Sequence, residues 1–404
     1  TDGPRGLDAD FEMVQDTFRR FADEKITPVA EHIHRHNGDI PEDIISGLAE
    51  MGAFGLSISE EYGGFASGTE SDYIAMIVAT EELSRGSLGA GGSLITRPEI
   101  LARALETGGT EEQKQHWLPQ LASAEVMNAV AVTEPDYGSD VAGVKVAASK
   151  VDGGWLINGV KTWCTFGARA DVLMLLARTD PDRSKTHKGL SMFIVPKERG
   201  DGHGFAQTQD NDFGGGKMEG SPIDTIGYRG MHSYEIALEN WFVPDENLIG
   251  GEGGLGRGFY YQMAGFENGR LQTAARAVGV MQAALEEARQ YAEDRKVFGK
   301  PLLDNQVVHF RLAELKSEVE ALRSLVYRAC EEYLAGKDVT MLASMAKLKC
   351  GRLSREVTDS CLQYWGGMGF TWDNPVSQAY RDSRLVSIGG GADEVMLGII
   401  CKLD

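Results

Sequence analysis

The chain has 404 residues, of which 42% are hydrophobic and 25% are charged, a composition typical of a soluble globular protein with two or three domains. Its 60 acidic and 40 basic residues give a net charge of −20, which argues against a nucleic-acid partner because phosphate binding requires a basic surface.

No apolar segment approaches the roughly 18 residues of a membrane helix, so we expect a cytoplasmic protein without membrane segments. The five cysteines and eight histidines form no metal-binding motif, so we expect no metal. Because the sequence starts at Thr1 instead of a methionine, we expect that flanking segments were removed.

Residues 1–127 are predicted to form an N-terminal helical domain. Apolar residues recur every three or four positions in Asp10–Ile26, Ser71–Leu83 and Thr110–Leu121. Thr110 precedes two glutamates, which is typical of a helix start.

Residues 128–245 are predicted to form a central β domain. Its predicted strands are Ala129–Thr133, Gly154–Asn158, Val172–Ala177, Ser191–Val195 and Tyr234–Val243. The Asn158-Gly159 pair predicts a tight hairpin turn, with Asp152-Gly153-Gly154 as another turn. The polar, glycine-containing segment Gly200–Asp224 is predicted to be a long surface loop.

Residues 246–404 are predicted to form a C-terminal helical bundle, which makes the fold class α+β. The long periodic segments are Gln272–Arg295, Gln306–Ala335, Thr340–Trp365 and Ala392–Lys402. A GxGxxG match at Gly251, Gly253 and Gly256 is interpreted as a loop, because no βαβ unit surrounds it.

Two short motifs in the β domain have the chemistry to hold a flat heterocycle. Val132 and Thr133 end a predicted strand that leads into a polar turn with Gly138 and Ser139. Trp163 and Thr165 alternate on one strand and therefore face the same side. The alternatives are an ordinary capped loop and an ordinary cross-strand pair.

Three motifs in the C-terminal segment have both a structural and a binding interpretation. Arg295 could grip a phosphate or cap a helix. Gly366-Gly367 could end a helix or admit a bulky ligand. Gly389–Gly391 could be a hinge, or a place where the backbone approaches a ligand closely.

Taken together and in order, these motifs resemble the acyl-CoA dehydrogenase family from about Asp8 to Lys402. The matching segments are VTEPDYGSD, INGVKTWCTFG, DRKVFGK with Gln306, QYWGGMGF and YRDSRLVSIGGGADEVM. The resemblance implies an N-terminal helical domain, a central β-barrel-like domain and a C-terminal four-helix bundle. It also implies FAD as cofactor, a homodimer or homotetramer, and an electron-transfer flavoprotein as acceptor.

The resemblance implies two groups of FAD-binding residues. Around the flavin and the substrate it places Val132, Thr133, Gly138, Ser139, Trp163 and Thr165. Around the adenine and diphosphate end, partly from a neighbouring subunit, it places Arg295, Phe298, Gln306, Gln363 and Gly367.

The catalytic base is the point at which the sequence departs from the family. Many members carry the glutamate that acts as catalytic base where this chain has Gly390. The resemblance still implies that the backbone N–H at that position binds the thioester oxygen. A second subgroup carries it where this chain has Gly269. We therefore predict Glu267 as the base, with Asp393, Glu394 or another group as alternatives.

The predicted substrate-binding residues are Arg97, Arg103, Arg270 and Ser139. If the arginines face the acyl pocket, the substrate ends in a carboxylate, because buried cations are costly without an anion. The alternative for Arg97 and Arg103 is a position on the surface. The predicted reaction is FAD-dependent α,β-dehydrogenation of a short branched or dicarboxylic acyl-CoA, such as (2S)-methylsuccinyl-CoA to mesaconyl-CoA. A monocarboxylic substrate, an oxygen-using flavin enzyme of the same fold and a non-enzymatic CoA-binding protein are the alternatives.

Overall fold

The computed structural model describes residues 9–67, 71–201 and 203–404, with Ser71 described by its backbone alone. Within these residues the chain forms helices, then a curled sheet, then helices, as predicted. Asp8, where the resemblance starts, lies outside the described residues.

The N-terminal helices follow the predicted apolar periodicity. They are α1 (Ala9–Phe21), α2 (Thr27–His36), α3 (Glu42–Glu50), α4 (Ser71–Gly86), α5 (Thr96–Gly108) and α6 (Glu111–Ala122), with π-helical turns at Ala22–Ile26 and Leu88–Gly92. The predicted start of α6 is confirmed, because Thr110 and Gln113 exchange side-chain-to-backbone hydrogen bonds in a capping box.

The central strands build one curled sheet. They are β1 (Asn128–Ala131), β2 (Ala147–Val151), β3 (Gly154–Thr165), β4 (Val172–Arg178), β5 (Leu190–Pro196), β6 (Phe205–Gln209), β7 (Gly216–Pro222) and β8 (Ser233–Pro244). Their order is β1-β4-β2-β3-β8-β7-β6, with β5 on β4. The predicted turn at Gly153 is confirmed, since Gly153 joins β2 to β3 with φ +73°.

The predicted hairpin at Asn158-Gly159 is wrong. Strand β3 continues through this pair, and both of its halves pair with β8 across a bulge. The Asn158 side-chain oxygen accepts the Asn240 backbone N–H at 2.8 Å, so the asparagine stabilises the bulge. A Cβ at Gly159 would lie 2.7 Å from Val146, so this glycine permits close strand packing instead of a turn.

The prediction of a long surface loop over Gly200–Asp224 is also wrong. The segment contains the antiparallel hairpin β6-β7, and β7 continues the sheet onto β8. Asn211 Oδ1 accepts the N–H groups of Phe213 and Gly215, each at 3.0 Å, and thereby organises the connecting turn.

The C-terminal part is a bundle of long helices. It comprises α7 (Gly258–Asp294), the two-residue strands β9 (Lys296–Val297) and β10 (Lys300–Pro301), α8 (Gln306–Leu334), α9 (Thr340–Tyr364), α10 (Pro375–Ser383) and α11 (Asp393–Leu403). The GxGxxG segment is a short 3-10 turn before α7, which confirms its interpretation as a loop. Helix α7 starts at Gly258 and runs through the predicted periodic segment from Gln272 onward.

Membrane-spanning helices and metal-binding groups of side chains are the two features sought among the described residues. None of their helices is long and apolar enough to cross a membrane. None of their His, Cys, Asp and Glu side chains form a group of three that could hold a metal ion.

Close packing of α4 on α7 joins the N-terminal helices to the C-terminal bundle. A Cβ on Gly279 of α7 would lie 2.2 Å from the Glu81 carbonyl oxygen of α4. We therefore expect Gly279→Ala to lower the free energy of unfolding by about 1–3 kcal/mol, measured by urea denaturation.

Gly398→Ala is the matched control for this variant, because Gly398 also lies within a helix but faces open space. Relief of the glycine entropy cost should leave this variant as stable as the parent, or up to about 1 kcal/mol more stable. Equal effects of the two substitutions would contradict the close-packing argument.

Candidate active site

A buried ion pair fixes the end of β1 against β3. Lys161 is fully buried, and its Nζ donates to the Val132 carbonyl at 2.9 Å and to Glu134 Oε2 at 2.7 Å. Glu134 also accepts the N–H groups of Lys145 and Val146. Burial lowers the pKa of Lys161, and Glu134 opposes that shift. The pair therefore holds Val132 in a defined position beside β3.

The predicted flavin-facing residues lie next to this pair. The Thr162 N–H donates to the Thr133 carbonyl at 2.8 Å, which brings Thr133 beside Trp163. Trp163 is 54% exposed and Thr165 is half-buried, with buried Cys164 between them. This alternation is what the prediction of a shared face requires.

Trp163 has an unusual backbone for a bulky residue. Its φ is +57°, at a register shift between Lys161 and Cys164, and Phe166 has φ +67°. Such conformations cost of order 1–3 kcal/mol and cluster at ligand sites. An exposed indole on a strained bulge beside a half-buried threonine hydroxyl fits the face of a flavin. Gly138 and Ser139 lie in the exposed turn after β1, and a Cβ on Gly138 would meet no atom within 4 Å.

The second predicted FAD group lies at the C-terminal end of α7, distant from Gly269. Arg295 ends α7, which places it about 39 Å along that helix from Gly269, at 1.5 Å per residue. Phe298 and Gln306 are exposed on the same end of the bundle. Exposed Gln363 and Gly367 lie there too, because the Tyr364 hydroxyl donates to the Val307 carbonyl at 3.3 Å. This separation is what binding across a subunit boundary would require.

The glycine triplet is an organised turn between α10 and α11. Gly390 has φ +66° and Gly391 has φ +105°. The N–H groups of Ile388 and Gly389 both donate to the Leu385 carbonyl. The buried Lys347 of α9 donates to the carbonyls of Val386, at 2.9 Å, and of Gly391. The turn is thus held by hydrogen bonds on both sides of Gly390.

Both positions at which the family carries its base face open space. A Cβ on Gly390 would meet no atom within 4 Å, and one on Gly269 only Phe266, at 4.0 Å. Glu267 lies roughly 160° around α7 from Gly269, at 100° per residue. Its Oε1 accepts the Thr340 hydroxyl of α9 at 3.2 Å. Glu267 therefore points toward α9, and whether it serves as the base stays a prediction.

The buried Arg97 and the half-buried Arg276 form a pair of like charges. Burial lowers the pKa of Arg276, and the charge of Arg97 lowers it further. Arg276 donates to three neutral hydroxyl groups, of Ser93 at 3.0 Å, Tyr228 at 3.5 Å and Thr273 at 2.9 Å. The Nε atoms of both arginines are buried without a hydrogen-bond partner in the part of the chain that the structure describes. The alternative that Arg97 lies on the surface is wrong, because Arg97 is buried.

The other two predicted arginines have carboxylate neighbours. Arg103 donates to Glu106 at 3.1 Å, and it also faces the buried Glu99. Burial raises the pKa of Glu99 to about 7, with Arg103 and Arg276 opposing the shift. The pKa of Arg270 is lowered by burial, and Glu267 opposes that shift.

Sequence reasoning missed three residues of this region. Arg276 stands alone among small and apolar residues in TAARAVG, and Lys347 lies in ASMAKLKC with Lys349 as the other charged residue. A lone cation on a buried helix face was the available signal. Glu99 gave a weaker signal, because it resembles any acidic residue in a first helical turn.

Comparisons with known proteins agree with this geometry. Models of the acyl-CoA dehydrogenase N-terminal, middle and C-terminal domains match residues 8–125, 129–241 and 256–403. The chain is 43% identical to (2S)-methylsuccinyl-CoA dehydrogenase of Cereibacter sphaeroides over all of its own length and 71% of that protein.

Solved structures give the same picture. Glutaryl-CoA dehydrogenase in complex with glutaryl-CoA has a TM-score of 0.87 and 30% identity, covering 98% of this chain and 95% of that one. A chain in the structure of an electron transferring flavoprotein of Acidaminococcus fermentans has a TM-score of 0.88 and 30% identity, covering 99% and 98%.

The Lys161–Glu134 pair gives a stability prediction. Lys161→Met leaves the Glu134 carboxylate buried without its cation, and we expect the free energy of unfolding to fall by about 3–5 kcal/mol. Adding Glu134→Gln should recover part of this loss, because the amide carries no charge. Equilibrium urea denaturation of both variants measures the difference. A double variant no more stable than Lys161→Met would contradict the pairing.

Proposed function

Because the chain belongs to the acyl-CoA dehydrogenase family, whose members are FAD-dependent oxidoreductases acting on CH–CH bonds, we propose that it dehydrogenates a short, carboxylate-bearing acyl-CoA. The proposed reaction converts (2S)-methylsuccinyl-CoA to mesaconyl-CoA. A carboxylate removes the α-proton while the β-hydride leaves, so that a C=C bond replaces two C–H bonds. The observation that carries the choice of substrate is the Arg97–Arg276 pair, whose Nε atoms are both buried without a hydrogen-bond partner among the described residues.

Bound FAD supplies the acceptor for the β-hydride. Trp163, Thr165, Val132, Thr133, Gly138 and Ser139 would hold its flavin end and the adjoining thioester. Arg295, Phe298, Gln306, Gln363 and Gly367 would hold its adenine end from a second copy of the chain.

The glycine turn acts on the thioester in this proposal. The N–H of Gly390 donates to the thioester oxygen, which gains negative charge when the α-proton leaves. Stabilisation of that charge lowers the barrier to proton removal. The open space over Gly390 and Gly269 supports a substrate lying against both glycines.

The substrate carboxylate would complete the arginine pair. The buried Arg97 and the half-buried Arg276 repel each other, and Arg276 donates its hydrogen bonds to neutral hydroxyls, with Glu99 as the nearby carboxylate. A carboxylate between them would satisfy both orphaned Nε–H groups and offset the repulsion. Arg270 lines the proposed pocket near Lys347, whereas Arg103 is neutralised by Glu99 and Glu106. The 43% identity to a methylsuccinyl-CoA dehydrogenase supports the same substrate.

Glu267 is the proposed base, with Glu99 as its main competitor. Glu267 is half-buried beside Arg270, but it must turn from Thr340 to reach a substrate over Gly269. Glu99 is buried with an orphaned Oε1 and a pKa raised to about 7 by burial, a suitable value for a base at neutral pH. Asp393 is less suited because it pairs with Arg355, and Glu394 is exposed.

The proposal extends to partners. A homodimer or homotetramer would bring the two FAD groups together, an electron-transfer flavoprotein would accept the electrons, and the location would be cytoplasmic.

Anaerobic bleaching of the holoenzyme's flavin absorbance tests the substrate. We expect methylsuccinyl-CoA to bleach it faster than succinyl-CoA, glutaryl-CoA, isovaleryl-CoA or butyryl-CoA. Arg97→Met and Arg276→Met should each slow bleaching by methylsuccinyl-CoA about 100-fold, because a charge-assisted contact is lost. Neither should slow bleaching by isovaleryl-CoA.

Arg199→Met is the control, since Arg199 is an exposed arginine bound to Asp171 in the β domain. Bleaching by monocarboxylic thioesters alone would contradict the arginine argument. Failure of every thioester would favour the oxygen-using alternative, for which the glycines at both base positions are the supporting observation.

A second pair of variants tests the base. Glu267→Gln should slow bleaching by 10²–10⁴-fold without weakening substrate binding, because removal of a general base costs about that factor. Glu99→Gln should slow it less than tenfold. The reverse ranking in stopped-flow measurements would transfer the role to Glu99.

A further inference from the structure

We infer that Lys347 is a positioning residue, which fixes the glycine turn so that the Gly390 N–H is held ready for the thioester oxygen. Lys347 lies on α9 and is fully buried beneath the turn. The inference rests on the proposed function, because that function gives the Gly390 N–H its role.

The contacts of Lys347 bracket the turn. Its Nζ donates to the Val386 carbonyl at 2.9 Å and to the Gly391 carbonyl. These two carbonyls lie on either side of Ser387–Gly390. Glycines at φ +66° and +105° have many alternative conformations, so the turn needs such a constraint to keep one of them. A single ammonium group thus closes the turn at both ends.

A glycine on α9 allows this approach. Gly351 lies one helical turn beyond Lys347, and a Cβ there would lie 2.6 Å from Ser387 Oγ and 2.9 Å from Asp393 Oδ1. Any larger residue would push the turn away from α9. The helix is therefore shaped so that the lysine can reach both carbonyls.

The environment of Lys347 makes its charge sensitive to pH. Burial lowers its pKa to about 8, with Arg270 and Arg276 of α7 adding to the shift. Asp393 of α11 and Cys350 of α9 oppose it, and Asp393 also pairs with Arg355. The positive charge is present below pH 8 and is lost as the pH rises through that value. It lies beneath the site where negative charge develops on the thioester.

Lys197 offers a matched control. Its Nζ donates to three backbone carbonyls, those of Ala168, Ala170 and Glu198, at 2.7–2.9 Å. Burial lowers its pKa to about 8 as well. It lies after β5 in the β domain, away from the glycine turn.

Hydrogen–deuterium exchange of the holoenzyme tests the positioning directly. Lys347→Met should speed amide exchange in peptides covering 386–392 by about tenfold or more, and Lys197→Met should leave those peptides unchanged. Should Lys347→Met not fold, Lys347→Gln, whose side-chain amide keeps two N–H donors, should give a smaller increase at the same amides. Unchanged exchange in the folded variant overturns the inference, even if the enzyme proves to use no thioester at all.

Bleaching kinetics then separate positioning from general stability. Lys347→Met should lower the limiting bleaching rate by 10–100-fold and change the substrate dissociation constant less than threefold. The misplaced Gly390 N–H would no longer stabilise the negative charge on the thioester oxygen, and that charge develops only after the substrate has bound. The limiting bleaching rate of the parent should fall above pH 8, where Lys347 loses its positive charge. The rate of Lys347→Met should not show this fall. A variant with the parent's rate and pH profile overturns the inference. A parent that no thioester bleaches overturns the proposed function instead, and leaves the exchange result standing.

Discussion

Buried positive charge is the constraint on which the arrangement of this site depends. Arg97 of α5, Arg270 and Arg276 of α7 and Lys347 of α9 interact through their charges, and burial lowers the pKa of the last three. Cations in such a place are costly unless an anion joins them. The carboxylates of Glu99, Glu267 and Asp393 compensate part of this positive charge, together with hydroxyl groups and backbone carbonyls. A substrate with a free carboxylate would supply what is missing, so the same feature explains both the cost and the proposed selectivity.

Glycine makes the close approaches that bring these charges together. Gly279 lets α7 lie against α4, and Gly351 lets α9 lie against the turn. Gly269 and Gly390 instead leave room, since side chains there would point into open space. The triplet at 389–391 forms a turn organised by hydrogen bonds from Lys347 and to the Leu385 carbonyl, and contact of its backbone with a ligand stays a prediction.

Most of the helical architecture could be predicted, because apolar residues at three- and four-residue spacing identify α1, α4, α6, α8, α9 and α11. The β domain was harder to predict. Asn158-Gly159 is a strong local turn signal, but pairing with β8 overrides it and uses the asparagine for a bulge. For the site, sequence motifs identified the glycine turn and the residues around Trp163. Arg97 and Arg276 are neighbours in the fold although nearly 180 positions separate them in the sequence. No local sequence pattern therefore reveals this pair.

The central claim is that this pocket is built for a carboxylate. Its most direct test is the ratio of kcat/KM for (2S)-methylsuccinyl-CoA to that for 2-methylbutyryl-CoA, which replaces the carboxylate with a methyl group. If the substrate carboxylate binds between Arg97 and Arg276, this ratio should be at least about 100, because the neutral analogue leaves the two orphaned Nε–H groups without an acceptor. A ratio near one, or below it, would contradict the account.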